Sequence, residues 1–147
     1  MRGGLRFWGV LALAVIGLWI VGIKAVHEGW FAYRPALDLQ GDPALLYFTL
    51  SRGCDCQMRA IRGADAQIAD WDETDRSGLP VLRIDLIQRR DLGERFGVYR
   101  APALLLVDGS ERVIWRQDVG VSDDEPLNLA EAEAQIQALL DPGGGRP

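Results

Sequence analysis

Residues 44–50 read ALLYFTL, a nearly unbroken apolar run that follows a Gly-Asp-Pro turn and stops at Ser51-Arg52-Gly53. The run is too short to cross a membrane as a helix, and it lacks the apolar–polar alternation of a strand with one wet face. A short continuous run of this kind suits a strand covered on both faces. The rest of the chain must therefore supply a layer above it and a layer below it.

The following segments supply those layers. From Cys56 the apolar positions fall at Met58, Ile61, Ala64, Ile68 and Trp71. Steps of three and four draw one stripe on a helix. Gly78-Leu79-Pro80 ends that connection, and Val81 to Asp85 predicts the next strand. Arg89 to Phe96 predicts a short helix with Leu92 and Phe96 on one face, interrupted at Tyr99-Arg100-Ala101-Pro102. Ala103 to Val107 predicts a strand, Asp108-Gly109 a hairpin, and Arg112 to Val119 its antiparallel return. Leu129, Ala132, Ile136, Leu139 and Leu140 stripe a last helix, opened by Asn128 with Glu131 three residues on, a capping-box-like start. The order strand, helix, strand, helix, strand, strand, helix predicts an α/β fold. It is a mixed four-stranded sheet with helices on both faces.

The N-terminus sets the compartment. Seventeen residues from Phe7 to Ile23 carry no charge. As a helix they span about 25 Å, and snorkelling by Arg6 and Lys24 brings them to a hydrocarbon core of about 30 Å. The stretch is longer than a signal-peptide core, and IKAVHEG offers no clean cleavage site, so it predicts an uncleaved anchor. Arg2 and Arg6 flank one end without an acid, whereas Lys24 is followed by Glu28. Positive charge stays inside, so everything after Lys24 faces outward. In a bacterium this means an inner-membrane protein with a periplasmic domain, where disulfides are permitted. The expected division is an anchor over 1–26 with its transmembrane helix over about 6–25. A linker follows over 27–43, then a domain over 44–140 and a disordered Gly/Pro tail over 141–147. Trp30, Phe31 and Tyr33 in the linker read as interfacial belt residues.

Composition excludes several function classes. From Pro35 onward there are 12 Arg and no Lys against 20 Asp and Glu, a net charge of −8. An acidic domain without a basic stripe argues against nucleic acid as a partner. The one histidine, His27, lies at the membrane exit, so no Ser-His-Asp triad can form in the domain. Acidic clusters such as Asp123-Asp124-Glu125 lack calcium-loop spacing and read as solvated turns.

The chemistry-bearing feature is Cys54-Asp55-Cys56, the only two cysteines, set between the first strand and the first helix. Residues two apart on a helix point about 200° apart, so both cannot sit in regular helix and bond each other. Cys54 is expected in the loop and Cys56 at the first turn. Helix N-termini favour anions, and a thiolate is the attacking form of cysteine. Three uses remain open: redox exchange, handling of Cu(I) by two soft thiolates, or a small staple in a non-catalytic module.

Two segments, YFTLSRGCDCQM and VLRIDLIQRRDLGERFGVYRAPALLLVDGSERV, together with the closing helix, resemble the thioredoxin superfamily over roughly Asp42 to Leu140. The resemblance implies a thioredoxin-like sheet and a cis proline at Pro102; no cofactor is expected, and with no histidine in the domain no metal site either. It also implies that Ala101 and Pro102 hold an extended substrate segment beside the cysteines. The chain departs from the family at three points. The motif is Cys-x-Cys; Cys56 keeps the family's second cysteine position while Gly53 occupies the first; and Tyr47 stands where many members carry a buried acid. The resulting expectation is thiol–disulfide exchange on exported proteins. Cys54 attacks, Cys56 resolves, and the partners are the lipid bilayer and a thiol-containing substrate or redox partner.

Overall fold

The computed structural model describes residues 15–24, 37–117 and 126–141. The chain divides into two compact units, Met1–Ala36 and Leu37–Pro147. In the first, residues 15–24 are helical (α1), with apolar side chains in the open: Leu18 is 74% and Trp19 73% exposed. No helix among the described residues is long and apolar enough to cross a membrane. The remainder of the expected span, with His27, Trp30, Phe31 and Tyr33, lies outside the described residues, as do Asp123-Asp124-Glu125 and the tail beyond Asp141.

The second unit runs β1 (Ala44–Thr49), α2 (Asp55–Asp70), β2 (Val81–Asp85), α3 (Arg90–Phe96), β3 (Ala103–Val107), β4 (Val113–Gln117) and α4 (Leu129–Leu140). The sheet order is β2-β1-β3-β4. β1 and β2 are parallel, linked through α2, whereas β3 is antiparallel to both β1 and β4. This is a four-stranded mixed sheet with flanking helices, an arrangement that fits a thioredoxin-like α/β fold.

The unbroken apolar runs follow from this layering. All six residues of β1 and all five of β3 are buried. Because strand side chains alternate, β1 sends Ala44, Leu46 and Phe48 to one face and Leu45 and Tyr47 to the other. The first face packs on Leu92 and Phe96 of α3; the second packs on Ala64 of α2 and on Ala132 and Ile136 of α4. The unit extends ahead of Ala44, with Leu39 buried in the first cluster and Leu37 packed against it.

The Asp108-Gly109 reversal is not a two-residue turn. The chain reverses through Asp108 to Arg112, where the Asp108 N–H donates to the Arg112 carbonyl at 3.0 Å. The Asp108 carboxylate accepts from the backbone N–H groups of Ser110 and Arg112, each at 3.0 Å. Gly109 serves a close approach instead: a Cβ there would lie 1.7 Å from the Gly41 carbonyl oxygen. Backbone contact between two loops, rather than turn type, explains this glycine.

Candidate active site

β1 delivers the chain to the site and α2 receives it. Cys54 is the N-cap of α2, in extended conformation at φ −69° and ψ 161°, so Asp55 opens the helix and Cys56 is its second residue. Both thiols are free and exposed. The first helical hydrogen bond runs from the Met58 N–H to the Cys54 carbonyl at 2.9 Å.

The cap is reciprocal, and Gln57 is its other half. The Cys54 N–H donates to Gln57 Oε1 at 3.3 Å, and the Gln57 N–H faces the Cys54 sulfur in the pattern of a capping box. As a neutral thiol, Cys54 makes no full side-chain cap hydrogen bond. Sulfur is a weak acceptor until it ionises. Gly53 leaves room for this arrangement, since a Cβ there would come within 2.8 Å of Gln57 Oε1. The cysteine that the resemblance places at position 53 would meet Gln57. One residue later, the thiol instead takes the cap.

The two sulfurs differ electrostatically. A hydrogen bond from the Cys56 thiol, aided by the Gln57 backbone N–H, holds Cys54 below the ordinary thiol range. The same Cys54–Cys56 contact pushes Cys56 above it. Cys54 is therefore the sulfur that ionises first, and the pair shares one proton over the intermediate range.

Strand register brings the second expected element to the same end of the sheet. Phe48 pairs with Ala103, so the residues just before β3 lie beside the end of β1, from which the cysteine loop departs. The Ala101–Pro102 peptide bond is cis and Pro102 is buried. Gln57 and Ala101 line a common groove of about 500 Å³, closed by Leu86, Ile87, Tyr99 and Arg100. Tyr99 is 78% exposed there.

Neither Gln57 nor Asp65, the latter well along α2 from the cysteines, is among the residues that the sequence points to. Gln57 carried a signal, standing three residues after a potential cap, but the spacing is usually sought with Ser or Thr. Asp65 carried none. Tyr47, at the position of the family's buried acid, donates its hydroxyl to Asp65 at 2.8 Å, and Arg83 donates to the other carboxylate oxygen at 2.8 Å. Burial, and then the Asp65 hydrogen bond, push the Tyr47 phenol well above its ordinary range. No group of three or more His, Cys, Asp or Glu able to hold a metal occurs among the described residues.

No family model and no curated protein matches the chain. Among solved structures, it is similar to a disulphide isomerase from Xylella fastidiosa Temecula1, at 21% identity over 81% of this chain and 90% of that one, with a TM-score of 0.45. It is also similar to a mutant thioredoxin from Halobacterium salinarum NRC-1, at 19% identity over 67% of this chain and 75% of that one, with a TM-score of 0.45. A DsbH oxidoreductase is 16% identical over 69% of this chain and 74% of that one, with a TM-score of 0.45. At these levels of similarity, the functional reading rests on the site's own geometry.

Proposed function

We propose that the chain is a membrane-anchored thiol–disulfide oxidoreductase acting on exported proteins. Cys54 is the attacking thiol, Cys56 the resolving thiol, and Ala101–Pro102 the backbone edge against which a substrate lies. The carrying observation is the Cys54 sulfur at the start of α2, exposed and held below the ordinary thiol range by its Cys56 and Gln57 contacts.

The Cys54 thiolate attacks one sulfur of a substrate disulfide. A Cys54–substrate bond forms, the substrate S–S bond breaks, and the second substrate sulfur leaves as a thiolate that takes a proton from water. Cys56 then loses its proton to solvent and attacks the Cys54 sulfur. The Cys54–Cys56 bond forms and the first substrate sulfur leaves. Two electrons have passed to the substrate, and a thiol–disulfide redox partner returns the pair to its starting state. The same steps in reverse oxidise a substrate dithiol, and neither direction needs a cofactor.

The favoured direction follows from strain and from the reduced state. A disulfide across one intervening residue departs from the usual geometry, which makes it easier to reduce. Stabilising the Cys54 thiolate favours the reduced pair further. The full-length chain in detergent is expected to turn over disulfide and dithiol peptides faster than free cysteine. Its potential is expected to be more oxidising than the roughly −270 mV of a reducing thioredoxin. A potential at or below that level defeats the oxidising assignment. Absent turnover defeats the enzyme reading and leaves a partner-binding module.

Anchoring is supported by the apolar surface of residues 15–24, which needs a cover, and by the charge bias of its flanks. Full-length protein is expected to stay in the membrane pellet after alkaline carbonate extraction. A membrane-impermeant maleimide is expected to label Cys54 from the outer side. Release into the supernatant, or labelling only after permeabilisation, contradicts the anchor or its orientation respectively.

A further inference from the structure

We infer that Gln57 is a positioning residue for Cys54, holding the thiol at the cap from which it attacks and forming the wall between that thiol and the docking groove. The inference rests on the exchange reading above.

Three contacts made by one side chain and its own backbone carry it. Gln57 Oε1 accepts the Cys54 N–H at 3.3 Å, which fixes the backbone that bears the sulfur. The Gln57 N–H faces the Cys54 sulfur, so the residue that is held also receives a donor where negative charge develops. The Gln57 side chain then fills the flank that Gly53 leaves open, and it lines the groove shared with Ala101. Truncating Gln57 frees the Cys54 N–H to bond water, so the cap loosens and the sulfur leaves its donor. Substrate binding need not be disturbed for this loss to be felt.

Other ionisable groups surround Cys54. Arg52, Asp55 and Cys56 lie on the same segment, and Tyr99 and Arg100 lie across the groove. Asp85 at the end of β2 bonds Ser51 in the same loop. Cys56 is serine in all three chains compared below, and none of the other groups changes.

The test is the pH dependence of iodoacetamide alkylation at Cys54, in the full-length chain carrying Cys56→Ser. Gln57, Gln57→Ala and Gln57→Glu are compared. Glutamate keeps an acceptor at the same reach and suits a capping box, but its charge opposes the thiolate whatever the role, so the comparison of alanine with glutamine carries the test. If Gln57 positions a thiolate, alanine raises the alkylation midpoint and glutamate raises it further, because its charge opposes the thiolate. Each unit of midpoint shift lowers the alkylation rate below the midpoint about tenfold. Three equal midpoints, or alanine coinciding with glutamine, overturn the inference while leaving wild-type exchange intact. Exchange turnover by the otherwise unaltered chain is measured alongside. Its absence overturns the exchange reading, and with it any role of Gln57 in exchange, whatever the midpoints.

Discussion

Cys54→Ser is expected to bring disulfide exchange by the full-length chain down to the rate of the uncatalysed reaction while leaving the fold intact. The first half follows from chemistry, because a serine hydroxyl does not ionise near neutral pH and cannot form the mixed disulfide. The second half follows from the position. Cys54 is the N-cap of α2 and makes no full side-chain cap bond as a thiol. Serine is among the preferred N-cap residues, so the helix start is kept or slightly strengthened. The loss of activity therefore cannot be assigned to unfolding. Cys56→Ser separates the two thiols. It spares the first attack and blocks resolution, so the Cys54–substrate mixed disulfide is expected to accumulate on non-reducing gels. Cys54→Ser is expected to trap nothing. Mixed disulfides forming equally on both variants would mean that the thiols are interchangeable, and the assignment of Cys54 as attacker would fail.

The parts of this molecule that were legible in the sequence are those governed by neighbours in the chain. The β1 and β3 runs announce strands buried on both faces, and the Met58–Trp71 stripe announces α2, because burial is written at strand or helix period. Cys54 in the loop and Cys56 in the first turn is the placement expected of a pair able to bond each other, and the free thiols occupy it as N-cap and second helical residue. What stayed hidden depends on partners distant in sequence. The Asp108-Gly109 pair looks like a two-residue hairpin, yet Gly109 is needed against the Gly41 carbonyl, which no local rule reveals. The Tyr47–Asp65 bond joins residues eighteen apart across a strand and a helix. The site has the same division. The cysteine spacing was visible, but the role of Gln57 depends on a side-chain conformation. The common groove of Gln57 and Ala101 depends on the pairing of Phe48 with Ala103. Gly53 shows how the two levels meet. As a departure from the family pattern it marks a missing cysteine, whereas in the fold it is the space beside which the Gln57 side chain folds back to the Cys54 N–H.

The sheet that presents this site depends most on β1, and Phe48→Ala is expected to remove much of the domain's stability. Phe48 is fully buried and faces the α3 side of the sheet. Its ring meets Phe96 of α3 edge to face, with centroids 6.3 Å apart and planes at 62°. On either side its strand pairs with Ile84 of β2 and Ala103 of β3. Truncation to alanine removes the ring's transfer energy and leaves a cavity that paired strands cannot collapse, a cost of about 3–5 kcal/mol. Whole-domain stabilities are about 5–15 kcal/mol, so this single change can consume most of the margin. The measurement is the urea midpoint of the full-length protein, followed by tryptophan fluorescence. Phe48→Leu fills more of the space and is expected to remain folded at a smaller cost. Combined with Phe96→Leu, it yields a double-mutant cycle whose coupling should reach about 0.5–1.5 kcal/mol for an aromatic pair. A loss below about 1 kcal/mol for Phe48→Ala would place that site among ordinary surface-like substitutions and contradict a core centred on β1. Because Phe48 lies on the strand that leads into Cys54, Phe48→Leu also distinguishes support from chemistry. Its alkylation midpoint at Cys54 is expected to match wild type wherever the variant is folded, while its urea midpoint falls.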